Sequence, residues 1–220
     1  MILSIKKYPD PVLRKKCQEV EKVTEEIKKL TLDMLETMIA NQGIGLAAPQ
    51  VGQLKRIIVV HLLEKRSPEE IVAQKPQALI NLPSHSEGGR RKFAFFDLPS
   101  ASEGGRRKFA FFDLPSASER GRRGLALFNP KIIKKSRETI TDEEGCLSFP
   151  KLFLKIKRAK EVEIEGLNER GEKIKIKTEG LPARVFQHEI DHLDGILFID
   201  HVRVGRRIWE LLKFYLRSKK

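Results

Sequence analysis

The chain has little sulfur and little tryptophan: two cysteines, three methionines and one tryptophan in 220 residues. Two cysteines, Cys17 and Cys146, exclude a disulfide framework and fit a reducing compartment. No stretch approaches the roughly 18 apolar residues of a membrane-spanning helix. The opening "MILSIKKYPDP" lacks the apolar core of a secretory signal. A phosphate loop is also missing, because "GIGLAAPQVG", residues 43–52, is a loop of small residues without a Lys-Ser/Thr ending. Acidic residues are the minority, 30 against 43 Lys and Arg, for a net charge of +13. That excess favours polyanionic neighbours such as ribosomal RNA. No motif for sequence-specific nucleic-acid recognition accompanies it.

What is present reads as a regular series of elements in one domain spanning residues 1–220. "TEEIKKLTLDMLETMIANQG" predicts a helix with Thr24 as N-cap and Gly43 as the stop. Its apolar stripe runs through Ile27, Leu30, Met34, Leu35, Met38 and Ile39. "RIIVV" reads as a buried strand, and "LALFNPKII", "RETIT" and "LFLKIKR" as further strands. "KEVEIEG" and "GEKIKIKT" alternate and are joined by "LNERG", which predicts an antiparallel hairpin. "LPARVFQHEIDHLDG" predicts a helix with Pro182 near its start and Gly195 at its end. "RRIWELLKFYLRSKK" predicts a basic amphipathic helix. Residues 82–124 interrupt the series: "LPSHSEGGRRKFAFFD" is followed by the same 16 residues with His85 replaced by Ala101, then by a decaying third copy. Repeated Gly-Gly, Ser and Pro predict a surface insertion with no catalytic group.

The chemistry concentrates in "HEIDH". His188 and His192 lie one helical turn apart on one face, opposite Ala183, Phe186, Ile190 and Leu193. Two imidazoles at that spacing suit a metal, and Glu189 between them suits a general base acting on water. The third ligand is open at this level. An HExxHxxGxxH extension would need a histidine at position 198, where the chain has Phe198, and His201 is three positions late. The other candidate is Cys146 in "EEGCLSFP", a soft donor for zinc or ferrous iron.

"GIGLAAPQVG", "EGCLS" and "HEIDHLDG" occur in the order of the three signature motifs of the peptide deformylases, and the chain resembles that family over most of its length outside the repeat. The resemblance implies an α+β fold, with antiparallel strands surrounding a central metal-binding HExxH helix and with N-terminal and C-terminal helices. It implies hydrolysis of the formyl group of N-formylmethionyl nascent peptides. It implies Cys146, His188 and His192 as ligands of Fe²⁺, for which Zn²⁺, Ni²⁺ or Co²⁺ can substitute. Glu189 would deprotonate the attacking water and protonate the leaving amine. The Gln50 side-chain amide and the Leu147 backbone N–H would hold the oxyanion. Gly45 and Glu144 would shape the cleft and hold the ligands, Ile44 and Val185 would wall the methionine pocket, and Arg184 would meet substrate backbone. Phe153 stands where some members present a basic substrate contact. The implied setting is a bacterial-type cytoplasm or an organellar stroma or matrix, with ribosome contact through the basic surface and the C-terminal helix.

Two other readings compete. A metallopeptidase of ordinary peptides lacks its third histidine here. A catalytically silent ribosome-binding module would have no need for Glu189, Gln50 and three ligands together.

Overall fold

In the computed structural model, the described residues are 1–62, 112–113 and 123–218. The repeat therefore lies outside them, apart from Phe112, Asp113, Arg123 and Gly124. Helix α1 (Glu25–Ala40) begins at Thr24, whose side chain accepts from the Ile27 N–H. Its end differs from expectation. Gln42, not Gly43, takes the left-handed conformation at φ 57°. The Gln42 and Gly43 N–H groups then close onto the Ile39 and Met38 carbonyls at 2.9 and 2.8 Å.

The larger sheet contains β1 (Gly45–Ala47), β2 (Ile57–Leu62), β3 (Phe112–Asp113), β4 (Arg123–Lys135), β7 (Glu161–Leu167) and β8 (Lys173–Glu179). Its order is β1-β2-β4-β7-β8, with β3 also on β4. Every pairing is antiparallel. A separate ribbon pairs β5 (Thr139–Cys146) with β6 (Phe149–Ala159). Helices α2 (Gly180–Leu193) and α3 (Val204–Ser218) follow. Part of "GIGLAAPQVG" is thus strand β1, followed by a 3₁₀ turn at Ala48–Val51, rather than loop throughout. Leu62 pairs with Arg123 on one rung of the antiparallel β2–β4 ladder.

Strand alternation explains the layers. Ile58 and Val60 of β2, with Leu125 and Leu127 of β4, pack against Ala183, Phe186, Ile190 and Leu193 of α2. Their alternates Ile57, Val59, Ala126 and Phe128 pack against Met34, Leu35 and Met38 of α1. The central strands are covered on both faces, which is why they read as unbroken apolar runs. Strands β7 and β8 bury one face only, through Val162, Ile164, Ile174 and Ile176. The inward side of β6 meets Leu13, Leu197, Phe198 and Ile199, with Leu211 and Phe214 of α3 at its edge. Gly195 closes α2 at φ 72°, where a Cβ would stand 2.4 Å from the Arg14 carbonyl oxygen. Only glycine fits that turn.

Candidate metal centre

Three elements converge. The amphipathic helix α2 buries its apolar face on the sheet, presents His188 and His192 to the end of the β5–β6 ribbon and sets Glu189 against Gly45 of β1. Glu144 and Cys146 are two apart on β5 and so share a face. The ladder shifts register between Gly145 and Cys146: Gly145 faces Phe153, while Cys146 faces Phe149. Lys151, within the three residues skipped, is left-handed at φ 62°. Such a bulge re-aims the strand end, here the Cys146 side chain.

The donor atoms of Cys146, His188 and His192 all lie within 4.8 Å of one another, and among the described residues this is the one such group. Nε2 of His192 is 3.3 Å from Sγ of Cys146. Nδ1 of His188 is 3.0 Å from Oε2 of Glu144, which leaves its Nε2 for the cluster. Holding the far nitrogen with a carboxylate is how metal-binding imidazoles are usually oriented. Burial opposes ionisation of Cys146, but the charges and hydrogen bonds of His192 and His188 outweigh it and hold the thiol well below its ordinary range. The thiolate is the ligand form. Nδ1 of His192 is buried with no hydrogen-bond partner among the described residues. A soft anion and two imidazoles in a tight triangle fit a divalent cation of the zinc or ferrous type.

Two groups aim at the same space. Oε2 of Glu189 is buried and has no hydrogen-bond partner among the described residues. Burial pushes this carboxyl up to about 7, against the pull of His188 and His192. Its other oxygen lies against Gly45, where a Cβ would stand 2.4 Å from Oε1. Any other residue at position 45 would displace the carboxylate. The Gln50 side chain accepts from the Ala47 N–H through Oε1 at 2.8 Å. That bond fixes the amide, so Nε2 points to Cys146 Sγ at 3.4 Å and Ser148 Oγ at 3.3 Å. Leu147 sits in the turn after Cys146, and its carbonyl accepts from Lys7 Nζ at 2.6 Å. Ile44 and Val185 are half-buried; Val185 packs against the α2 side of the core.

Arg184 is placed differently from the expectation. Its guanidinium is buried and donates to Glu144 at 2.6 Å, to the Ile156 carbonyl at 2.9 Å and to the Ile140 carbonyl at 2.8 Å. Those bonds occupy it in holding Glu144 rather than in meeting substrate backbone. Arg158 grips the same carboxylate with Nε and Nη2 at 2.8 and 3.0 Å, and its Nη1 reaches Asp191. His201, three positions late for an HExxHxxGxxH ligand, bonds Asp191 at 2.7 Å. Burial alone would raise the Glu144 carboxyl, but His188 and Arg158 keep it well below the usual carboxylate range.

Sequence reasoning missed Arg158 and Asp191. The signal was present: Leu154, Ile156 and Arg158 share the inward parity of β6, and an inward arginine requires a buried carboxylate. It also missed the strap of residues 6–8. The Lys6 and Tyr8 N–H groups bond the Gln50 and Ser148 carbonyls at 2.7 and 2.9 Å, tying the two loops that flank Cys146.

A carboxylate kept free beside three cation donors is the arrangement of a metal-dependent hydrolase, where one group takes a proton from water and the others hold the cation. The polypeptide deformylase family model matches residues 2–93 and 104–207. A peptide deformylase of Thermodesulfovibrio yellowstonii is 38% identical over 219 residues, covering 100% of this chain and 99% of the relative. One of Halothermothrix orenii is 38% identical over 94% of this chain and 98% of its own. A crystal structure of peptide deformylase from Ehrlichia chaffeensis superposes with a TM-score of 0.70 at 32% identity, covering 100% and 98% of the two chains. A second structure from that organism, in complex with actinonin, gives 0.69. The chain belongs to the peptide deformylase family.

Proposed function

We propose that this chain hydrolyses the formyl group from N-formylmethionine at the start of nascent polypeptides, releasing formate, with Cys146, His188 and His192 holding one divalent cation, Fe²⁺ in the native enzyme and replaceable by Zn²⁺, Ni²⁺ or Co²⁺. A cation there supplies Lewis acidity, polarising a carbonyl and acidifying water. Glu189 takes the proton of the attacking water and returns it to the departing amine, a role suited to a carboxyl near neutrality. Gln50 Nε2 and the Leu147 N–H donate to the oxygen that becomes charged as the tetrahedral centre forms. Gly45 leaves room for the carboxylate. Ile44 and Val185 provide apolar surface for the methionine side chain, and Glu144, gripped by Arg158 and Arg184, keeps the His188 ring in place.

The observation that carries this reading is the free Oε2 of Glu189 beside the donor triangle. The test compares formyl-Met-Ala-Ser with the unformylated peptide on metal-loaded protein. Formate from the first and no cleavage of the second supports the reading, whereas cleavage of a main-chain peptide bond makes this a peptidase. Contact with the ribosome through the basic surface and α3 belongs to the same proposal. It is supported by exposed Arg203 and Arg206 beside exposed Ile208, Trp209 and Leu212. Co-sedimentation with ribosomes that is lost on removal of α3 tests it.

A further inference from the structure

The two faces of β6 differ. Leu152, Leu154, Ile156 and Arg158 turn inward, while Phe153, Lys155 and Lys157 form the outward row. Phe153 stands opposite Gly145 in the ladder, so close that a Cβ on Gly145 would meet Phe153 Cε1 at 2.6 Å. Gly145 immediately precedes Cys146, so the row begins beside the donor cluster and runs away from it. A strand rise of about 3.3 Å per residue sets Lys155 about 7 Å and Lys157 about 13 Å beyond Phe153.

These lysines are exposed, and neither forms an ion pair with any described residue. Lys155 faces Glu143 in the ladder and still makes no ion pair with it. On the larger sheet, Lys134, Lys175 and Lys177 each lie within 4 Å of a glutamate carboxylate on β7. Lys155 and Lys157 are unpaired cations on the strand that leads out of the site. A half-buried aromatic beside the site followed by two unpaired cations matches an extended polypeptide with an apolar side chain and then acidic ones.

From this placement we propose that the outward face of β6 is a track for the polypeptide downstream of the formylated methionine. Phe153 seats an apolar side chain two or three residues from the N-terminus. Lys155 and Lys157 draw acidic side chains at about the fourth to seventh positions, given about 3.3–3.6 Å per extended residue. The enzyme then favours nascent chains whose early segment is acidic. The track rests on the deformylase reading. A cationic row with an aromatic also suits single-stranded RNA. The contact of Phe153 with the residue before Cys146 favours the peptide.

The experiment uses metal-loaded full-length protein and three peptides, formyl-Met-Ala-Phe-Ser followed by four Glu, four Gln or four Lys. Formate release at low salt is expected to give kcat/KM in the order Glu, Gln, Lys. Two exposed charge pairs correspond to about a threefold to tenfold spread between the extremes, shrinking as salt screens them. Lys155→Glu combined with Lys157→Glu is expected to reverse the order, with metal content certifying that the variant is folded. Equal kcat/KM for the three peptides overturns the track alone. No formate from any of them overturns the deformylase reading and the track with it. Loss of single-stranded RNA binding in the double variant, with its peptide order unchanged, assigns the row to nucleic acid and overturns the proposal.

Discussion

On the six-stranded sheet, charge pairs lie at the surface: Lys175 with Glu165, Lys177 with Glu161 and Lys134 with Glu163, the lysines exposed, the glutamates half-buried, and each pair between 3.6 and 3.9 Å apart. On the inward face of the β5–β6 ribbon, charge is taken inside. Glu144 and Arg158 are each about 5% exposed and pair at 2.8 Å, with Arg184 and His188 on the same carboxylate. Surface pairs of the first kind contribute little. A buried pair costs desolvation, and losing one partner strands the other. The larger sheet is scaffold, therefore, and the two-stranded ribbon is where the fold commits charge to a fixed geometry. That geometry ends on the ring of His188.

The contrast can be broken first by stability. Arg158→Leu leaves Glu144 buried without its bidentate partner and is expected to cost about 3–5 kcal/mol in urea unfolding, while Lys175→Ala changes stability by less than about 0.5 kcal/mol. Similar losses from the two would erase the distinction. Glu189→Ala is expected to keep its metal and lose at least about a hundredfold in turnover, the scale of general-base removal, as read by metal analysis and formate release on one sample. Gln50→Ala is expected to lower kcat by about a hundredfold with a smaller change in KM, because the charge its amide meets exists in the transition state. A pure KM effect would make Gln50 a substrate-positioning group.

The legible parts were those with a period or a spacing. The α1 stripe, the β7–β8 hairpin and the HExxH helix are local patterns, and they stand where the sequence places them. The illegible parts were long-range. Nothing near Arg158 in the chain names Glu144 or Asp191 as its partners, and nothing in "SIKKY" signals that Lys6 and Tyr8 fasten the Gln50 and Ser148 loops. Arg184 shows the same limit: its position on α2 beside Val185 suggested substrate, while its partners come from β5 and β6. The Gly43 stop failed for a local reason, since Gln42 supplies the left-handed residue one position earlier. The repeat lies almost wholly outside the described residues.

A smaller effect concerns acid. Burial raises the Asp200 carboxyl, but bonds from Arg14 and the Leu197 N–H outweigh it and hold the group below its ordinary range. A depressed carboxyl contributes stability that is full above its unfolded value of about 3.9. That contribution drains as pH falls through the folded value. Asp200→Asn is therefore expected to flatten the acid limb of the urea midpoint below about pH 4, leaving the neutral plateau lower.

The central claim is that one cation on Cys146, His188 and His192 is required for release of formate. The direct measurement titrates metal-stripped protein with Fe²⁺ under anaerobic conditions, or with Ni²⁺ or Co²⁺, and follows bound metal and formate release from formyl-Met-Ala-Ser in the same samples. The account predicts that activity rises with bound metal and stops rising at one ion per chain, and that Cys146→Ala neither retains the ion against a mild chelator nor turns over. Full turnover by metal-free protein, or full occupancy in Cys146→Ala, would contradict it.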